Sequence, residues 1–182
     1  MSSNEQAKEL LNTAPSKTNV VGQSVERLDA IKKVTGTAVF ADDIQFSRPL
    51  YAQVVRSPHP HANILSIDLT AAQSLPGVRS VITGECYKKR AGLYLEDKNF
   101  IAVGKTRYRG EPVAAVAADS PELARRACEL VKVEYEVLPA VTDSLEGMKP
   151  DAPVIHPDLG SYKVLPIFYP KPGTNISHHY VL

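Results

Sequence analysis

The feature that most constrains the fold is a unit of strand, short helix and strand that occurs twice in this 182-residue chain. In the first copy, residues 64–69 alternate apolar and polar side chains, residues 70–75 are rich in alanine, and residues 78–83 resemble a strand again. Alternation with a period of two is typical of a strand with one buried face. Thr70 is a suitable N-cap for the intervening helix, and Gly77 stands where a helix commonly ends.

The second copy has clearer signals. Residues 113–118 form an uninterrupted apolar run, residues 119–130 carry an apolar stripe at helical spacing, and residues 131–138 alternate again. Ser120 is predicted to cap the helix and Pro121 to take its first position, where a missing N–H is tolerated. The continuous apolar run predicts a central strand that is buried on both faces.

Together with a strand near residues 50–56, the two units predict an α+β fold with a mixed sheet and helices packed on one face. The connections after both helices are short. We therefore expect each helix to pack back onto its own strands.

The two ends of the chain differ from this core. Residues 1–19 are polar and predict a flexible leader. Residues 149–182 contain six of the fourteen prolines, which favour extended backbone, together with many apolar side chains. We therefore divide the chain into a leader (1–19), a core domain (20–145) and a proline-rich strap (146–182). The strap is expected to lie against a larger partner surface.

Composition excludes several classes of function. The formal net charge is +1, so no broad electrostatic field recruits nucleic acid or an anionic membrane. No run of eighteen apolar residues is present to cross a bilayer, and the first residues lack the pattern of a secretory signal. A cytoplasmic location is therefore the expectation. The two cysteines, Cys86 and Cys128, are too few for a disulfide scaffold or a four-thiolate metal site.

Several short motifs suggest chemistry without completing it. The Gly104-Lys105-Thr106 triplet resembles the end of a phosphate-binding loop, but the glycine required five residues earlier is absent. His59 and His61 form an H-x-H pair that lacks the third ligand of a catalytic zinc site, so ordinary turn histidines are favoured. Cys86 can be a reactive thiol, although no histidine stands near it in the sequence.

One acidic residue stands out because of its position. Glu111, in the run Arg109-Gly110-Glu111-Pro112, directly precedes the most apolar strand of the chain. An unpaired buried carboxylate is costly, so this side chain must be paired, hydrogen-bonded or at the rim of the sheet. A catalytic role is one interpretation, and anchoring the start of the strand is the more frequent one.

An ordered set of short motifs resembles the molybdenum-binding subunit of the xanthine dehydrogenase/aldehyde oxidase family. The set covers about residues 20–145 and predicts the family's α/β-hammerhead domain. Its members, in chain order, are Gly22-Gln23-Ser24, Arg27-Leu28-Asp29-Ala30, Lys33-Val34-Thr35-Gly36-Thr37-Ala38, Asp42-Asp43-Ile44, Val55-Arg56-Ser57-Pro58-His59-Pro60-His61-Ala62, Ile67-Asp68, Leu75-Pro76-Gly77-Val78, Gly110-Glu111-Pro112-Val113-Ala114 and Val133-Glu134-Tyr135-Glu136.

The resemblance implies that this chain is the N-terminal structural domain of a molybdenum hydroxylase large subunit. Such enzymes bind molybdopterin or its cytosine dinucleotide and pass electrons to iron–sulfur clusters and flavin. The family's glycine-rich cofactor loops and catalytic glutamate lie downstream of the hammerhead, so no catalytic, cofactor-binding or metal-binding residue is carried over to this chain. Structural or interface roles are expected for five residues of the matched motifs: Arg56, His61, Gly110, Glu111 and Pro112.

The resemblance also implies partners. The strap would pack on a molybdopterin-binding domain of the same subunit, and the iron–sulfur clusters and FAD would belong to separate subunits. The chain would then be a truncated product, an engineered fragment or a stand-alone module, inactive by itself. Two alternatives remain at this point: a protein-interaction module that binds through its basic rims and apolar strap, and a small enzyme that uses Glu111 or Cys86.

Overall fold

The computed structural model describes residues 22 and 24–180, so the leader predicted for residues 1–19 lies outside the described residues. The chain divides into two compact units at Ser47 and Arg48. The helices are α1 (Ala30–Val34), α2 (Thr70–Gln73), α3 (Pro121–Leu130) and α4 (Ser144–Gly147). The strands are β1 (Tyr51–Arg56), β2 (Ala62–Asp68), β3 (Val78–Thr83), β4 (Arg90–Ala91), β5 (Lys98–Asn99), β6 (Lys105–Thr106), β7 (Pro112–Ala118) and β8 (Lys132–Val137).

The described part of the first unit contains α1 and the 3-10 turn Ala41–Asp43. Asp29 precedes α1 and forms ion pairs with Arg27 and Lys33 at 2.5 and 2.6 Å. Asp43 accepts a hydrogen bond from the backbone N–H of Phe40 at 2.9 Å. The acidic pair at residues 42–43 thus includes a carboxylate that fixes a local turn.

The second unit holds two three-stranded antiparallel sheets and a small β4–β5 hairpin pairing. The first sheet has the order β1-β7-β3, and the second has the order β6-β2-β8. The predicted α+β class is confirmed. The predicted single mixed sheet differs from the structure, because the strands are divided between two sheets and all their pairings are antiparallel. Alternation specifies which face of a strand is buried but not which strand lies beside it.

Each strand–helix–strand unit passes from one sheet to the other. The first unit runs from β2 in the second sheet through α2 to β3 in the first sheet. The second unit runs in the opposite sense, from β7 in the first sheet through α3 to β8 in the second. The helices therefore act as crossovers between sheets, which sequence periodicity alone cannot reveal.

The main core lies where the two helices meet the first sheet. Ala114 and Val116 of β7 pack with Ala72 of α2 and Ala127 of α3, and all four are essentially inaccessible to solvent. Side chains from the second sheet, among them Val133, join the same cluster. Small residues allow the helices to approach the sheet closely, which concentrates the buried apolar surface at this contact.

Strand β7 is central, as predicted, but only one of its faces is fully covered. Val116 is buried, whereas Ala115 and Ala117 on the opposite face are half-buried. The expectation that residues 113–118 are buried on both faces therefore holds in full for the face that meets the helices and only at Val113 for the other. An uninterrupted apolar run in the sequence is equally compatible with a strand that is covered on both faces and with one that is covered fully on one face only.

The helix starts were predicted with mixed success. Ser120 caps α3 by accepting a hydrogen bond from the backbone N–H of Leu123 at 3.2 Å, and Pro121 is the first residue of the helix. Thr70 is not an N-cap but the first residue of α2. Its backbone N–H is instead bound at 2.9 Å by the carboxylate of Asp68, the last residue of β2. A carboxylate two residues upstream thus replaces the predicted hydroxyl cap.

The strap belongs to the second unit and contacts other segments of it directly. Val164 bridges to Leu95, and the flanking backbone bonds are Glu96 N–H to Lys163 C=O and Leu165 N–H to Tyr94 C=O, each 3.0 Å. Leu95, Leu159 and Tyr162 form a second small buried cluster. The domain boundaries predicted at residues 19 and 145 stay predictions, as does packing of the strap on another domain. Within this chain, however, the strap contributes internal packing that its composition did not reveal.

Asn175 fastens the far part of the strap. Its side-chain amide donates to the carbonyls of Gly147 and Pro153 at 3.0 and 2.9 Å and accepts from the backbone N–H of Ile155 at 2.9 Å. Replacing Asn175 with alanine leaves three backbone groups without this partner, at an expected cost of about 1–3 kcal/mol. We expect faster hydrogen exchange at the Leu165 amide in this variant, with little change at Val116. Equal protection at Leu165 in the two proteins would contradict the assignment.

Within the described part of the chain, no helix has the length and apolar character needed to cross a membrane.

Candidate functional site: a buried polar junction

The predicted site residues meet where the ends of five strands come together. Arg56 at the end of β1 lies opposite Pro112 at the start of β7. Ala62, which begins β2, lies between Thr106 of β6 and Val137 of β8. The intervening segments, residues 56–62, 106–112 and 137–139, form the buried polar junction of the two sheets.

Backbone hydrogen bonds and one arginine join the first two segments. The N–H of Ser57 donates to the carbonyl of Glu111 at 2.9 Å, and the N–H of Gly110 donates to the carbonyl of Ser57 at 2.8 Å. The Arg56 guanidinium adds a third bond, from Nη1 to the carbonyl of Gly110 at 2.9 Å. Gly110 has a φ of +89°, which favours glycine, so its place in this turn has a backbone reason.

Pro112 opens β7 at an irregular position in the ladder. The pairing register shifts between Val55 and Arg56, directly opposite this proline. A proline is tolerated at such a bulge and at the first residue of a strand because no ladder N–H is required there. Its carbonyl still accepts from the N–H of Ala102 at 2.7 Å. Pro112 therefore marks the start of the central strand without weakening it.

Glu111 is the buried acid of the junction, with 3% of its surface exposed. Its Oε2 atom accepts from the backbone N–H of Arg107 at 2.5 Å, and its own N–H donates to the carbonyl of Tyr108 at 3.2 Å. Burial raises the pKa of the Glu111 carboxyl above its ordinary value of 4.5, while the N–H and the charge of Arg107 act in the opposite direction. The side chain thus closes the 107–111 loop directly before β7.

Replacing Glu111 with glutamine should change how stability depends on pH. Because the pKa of Glu111 is raised in the folded state, its contribution to stability is complete below about pH 4.5 and is lost as the pH rises through the folded value. Glutamine keeps an acceptor for the Arg107 N–H but does not titrate. The free energy of unfolding of E111Q, relative to that of the parent protein, should therefore improve from pH 4.5 to pH 7 in urea denaturation.

The matched comparison is E111A, which lacks the acceptor at every pH and is expected to be about 1–3 kcal/mol less stable than E111Q throughout. Parallel pH curves for E111Q and the parent protein would show that Glu111 is not held in a desolvated site.

His61 belongs to the same junction and is 3% exposed. Its Nδ1 atom lies 2.6 Å from the carbonyl oxygen of Pro139, so Nδ1 carries the hydrogen and donates. Its Nε2 atom is buried and has no hydrogen-bond partner among residues 22 and 24–180. His59 instead packs edge-on against Tyr135, with ring centroids 5.1 Å apart. The two histidines of the H-x-H pair therefore serve separate packing contacts.

Two hydroxyl residues of the junction were not singled out from the sequence. Ser57 and Thr106 are 2% and 0% exposed, and their hydroxyl oxygens lie 3.3 Å apart. Ser57 Oγ also accepts from the N–H of His59, and Thr106 Oγ1 donates to the carbonyl of Ala62. In the sequence, Thr106 is notable only as the last residue of an incomplete phosphate-binding loop. In the structure it ties β6 to β2.

The cysteines lie apart from the junction. Cys128 packs at the edge of the main core, and burial raises the pKa of its thiol, with the Glu129 carboxylate acting in the same direction. Cys86 is an exposed free thiol in the 3-10 turn after β3. The environment of Cys128 therefore disfavours the thiolate form that a nucleophilic cysteine requires.

Comparisons with known proteins agree with this architecture. Residues 35–139 match the family described as "Aldehyde oxidase and xanthine dehydrogenase, a/b hammerhead domain". That match covers more than half of the chain. The chain belongs to this hammerhead-domain family.

Relatives of the hammerhead domain are subunits of larger enzymes. The nicotinate dehydrogenase large molybdopterin subunit of Eubacterium barkeri is 36% identical over 152 residues, which cover 82% of this chain and 36% of that protein. The 6-hydroxypseudooxynicotine dehydrogenase complex subunit gamma of Paenarthrobacter nicotinovorans is 40% identical over 142 residues, covering 70% of this chain and 18% of that protein. This chain therefore spans between about a sixth and a third of these relatives.

Solved structures show the same fold. Quinoline 2-oxidoreductase from Pseudomonas putida 86 superposes with a TM-score of 0.65 at 37% identity, over 72% of this chain and 18% of that chain. The Cu,Mo-CO dehydrogenase superposes with a TM-score of 0.68 at 35% identity, over 72% of this chain and 17% of that chain. The predicted α/β-hammerhead fold is confirmed.

The residues of this hammerhead domain were tested for their fit to the molybdenum group that the family implies. Across residues 22 and 24–180, no group of three or more His, Cys, Asp or Glu side chains lies close enough together to hold a metal ion. The unpartnered Nε2 of His61 is a single nitrogen enclosed by the junction. The described residues do not fit the group by themselves, so no step of its chemistry is assigned to them.

Proposed function

We propose that this chain acts as the structural hammerhead domain of a molybdenum hydroxylase large subunit and is not catalytic alone. The observation that carries the proposal is the bonding of the junction. Glu111 closes the 107–111 loop, Thr106 ties β6 to β2, and His61 binds the carbonyl of Pro139 just after β8. The hydroxyls of Ser57, after β1, and Thr106, in β6, meet between the two sheets at 3.3 Å. Groups held in this way fix the relative position of two sheets and leave no activated acid–base pair or nucleophile.

The junction supports that role through its geometry. It joins β1 and β7 of the first sheet to β2, β6 and β8 of the second, through segments far apart in sequence. A brace of this kind can present a rigid surface to the rest of a large subunit. The five residues Arg56, His61, Gly110, Glu111 and Pro112 are proposed to act structurally, as members of this brace.

The cofactors and partners follow from the relatives rather than from this chain. Relatives are named as molybdopterin subunits and as members of multi-subunit complexes. We infer that the complete enzyme carries a molybdopterin cofactor on the remainder of this subunit, and that iron–sulfur and FAD subunits complete the electron path. A cytoplasmic location belongs to the same proposal.

The test is to transplant the domain. Residues 35–139 replace the corresponding segment of the nicotinate dehydrogenase large molybdopterin subunit, expressed with its natural partners. The chimera is expected to assemble, to retain molybdenum and to turn over nicotinate, because a brace of the same fold restores the same framework. A chimera that carries Ala114→Asp is the matched control and is expected to fail in assembly.

The isolated 182-residue chain provides the complementary measurement. It is expected to melt cooperatively, to contain far less than one molybdenum atom per chain and to show no hydroxylase turnover. Stoichiometric metal with turnover would overturn the proposal. A folded chimera that never assembles would favour the protein-interaction module instead.

A further inference from the structure

A cavity of about 290 Å³ lies between the strap and the segment around β5 and β6, and it shares Arg107 with the junction. Its walls are of two kinds. Four apolar side chains line one part, and both Leu95 and Leu159 among them are deeply buried. The polar part includes Arg107, His156 and Asp97. A small cavity with apolar walls and a few convergent polar groups is typical of a ligand site.

Arg107 is the polar group with unused capacity. Its Nη1 atom donates to the carbonyl of Lys105 at 3.2 Å, and its buried Nε atom has no hydrogen-bond partner among the described residues. The ion pairs formed by the described residues do not include Arg107. The terminal N–H groups of a guanidinium that forms no ion pair can donate to a bound oxyanion.

The charges around the cavity favour an anion. Three cations near His156 disfavour its protonated form, and one carboxylate favours it. The cations are Arg107, Arg90 and Lys105, and the carboxylate is Asp97. Burial lowers the pKa of the His156 imidazole below its ordinary value of 6.5, and the three cations act in the same direction. Arg90 is partly occupied, since its guanidinium lies 3.6 Å from Asp158. Arg107 and Lys105 form no ion pair among the described residues, although the Glu111 carboxylate also interacts with the charge of Arg107.

His156 is held in place and faces this field. Its Nδ1 atom lies 3.0 Å from the hydroxyl oxygen of Tyr162, whose ring lies under the Arg90 guanidinium at 4.5 Å. The imidazole is therefore part of the wall and not a mobile side chain. An anion placed beside it would favour its protonated form.

We propose that this cavity is a binding site for a small monocarboxylate with an apolar body, whose carboxylate accepts hydrogen bonds from Arg107 and whose body contacts Leu95 and Leu159. The planar guanidinium matches a carboxylate, and the apolar walls select against a fully hydrated ion. The site shares Arg107 with the junction: Glu111 binds the backbone N–H of Arg107, whereas the proposed ligand binds its side chain. It depends on the strap, which supplies His156 and Leu159.

The probe for the experiment is benzoate, with benzamide as its neutral counterpart of the same shape. Both are titrated into the isotopically labelled 182-residue chain and followed by two-dimensional NMR. Benzoate is expected to saturate and to shift the Arg107 Nε–H and the Leu95 amide, while benzamide binds at least tenfold more weakly. Benzoate affinity should also rise severalfold from about pH 8 to about pH 6, because bound anion and protonated His156 stabilise each other.

The decisive variants are R107Q and R109Q, which remove one positive charge from neighbouring positions of the same loop. Arg109 is exposed and does not line the cavity. R107Q should lower benzoate affinity at least tenfold, and R109Q should change it less than twofold. If R107Q fails to fold, R107K keeps the charge but not the fork and should still weaken binding. Equal binding of benzoate and benzamide, equal losses in R107Q and R109Q, or no saturation by benzoate would each overturn the proposal.

Discussion

Replacing Ala114 with aspartate is expected to lower the melting temperature by at least about 15 °C, the largest effect expected of any single substitution in the core. Ala114 has no exposed surface and packs against both helices of the main core. A carboxylate there has no partner and displaces close-packed side chains, at a cost of roughly 4 kcal/mol or more. Natural domains have only about 5–15 kcal/mol of stability in total. Thermal unfolding followed by circular dichroism measures the loss.

The neighbouring residue supplies the control. Ala115 lies on the other face of β7 and is half-buried, so an aspartate at that position keeps access to water. A115D is expected to cost less than half as much as A114D. If both variants unfolded equally, the uncovered face of the first sheet would have to be buried after all.

The second large effect is expected from Gly84→Ala. Gly84 is buried after β3, and an added Cβ would overlap the carbonyl oxygen of Ala102 and lie 2.7 Å from that of Ile101. Backbone oxygens cannot rotate away, and the N–H of Ala102 is held by the carbonyl of Pro112 at 2.7 Å. We expect a loss of about 3 kcal/mol, seen as a fall of roughly 10 °C in melting temperature.

Gly104→Ala separates steric overlap from the loss of a glycine as such. Gly104 has a φ of +65° but no heavy atom within 4 Å of an added Cβ. Only the backbone preference is lost, at about 1 kcal/mol. A G84A protein as stable as G104A would show that the segment at residues 101–102 gives way easily.

Local order in this domain was predictable because local chemistry determines it. Residues 120 and 121 carry a capping hydroxyl and a proline in the order that starts a helix, and the structure has α3 beginning there. The alternation over residues 131–138 likewise corresponds to β8. These signals depend only on residues that are neighbours in the sequence, so the elements can be predicted without knowledge of the fold.

Long-range arrangement was not predictable in the same way. Nothing in residues 64–83 indicates that β2 and β3 belong to different sheets, because either pairing buries the same side chains. The internal contacts of the strap were missed for a related reason. A proline-rich segment forms few regular hydrogen bonds, yet Leu159 and Tyr162 still bury their side chains against Leu95.

The junction was located in part. Glu111 was identified because an acid before an apolar strand requires a partner, and the partner proved to be a backbone N–H. Ser57 and Thr106 carried no comparable signal. Hydroxyl residues are common at strand ends, and only the pairing of β6 with β2 makes these two deeply buried.

Each strand–helix–strand repeat begins in one sheet and ends in the other, which has a consequence for synthesis of the protein on the ribosome. β1 and β3 both pair with β7, which is translated after them. β2 pairs with β8, which begins at residue 132. Until those later strands emerge, the earlier ones have unsatisfied edges and exposed apolar faces. Nascent chains halted near residue 100 should therefore bind chaperones strongly. The chaperones should be released when the second strand–helix–strand repeat, β7 to β8, leaves the ribosome.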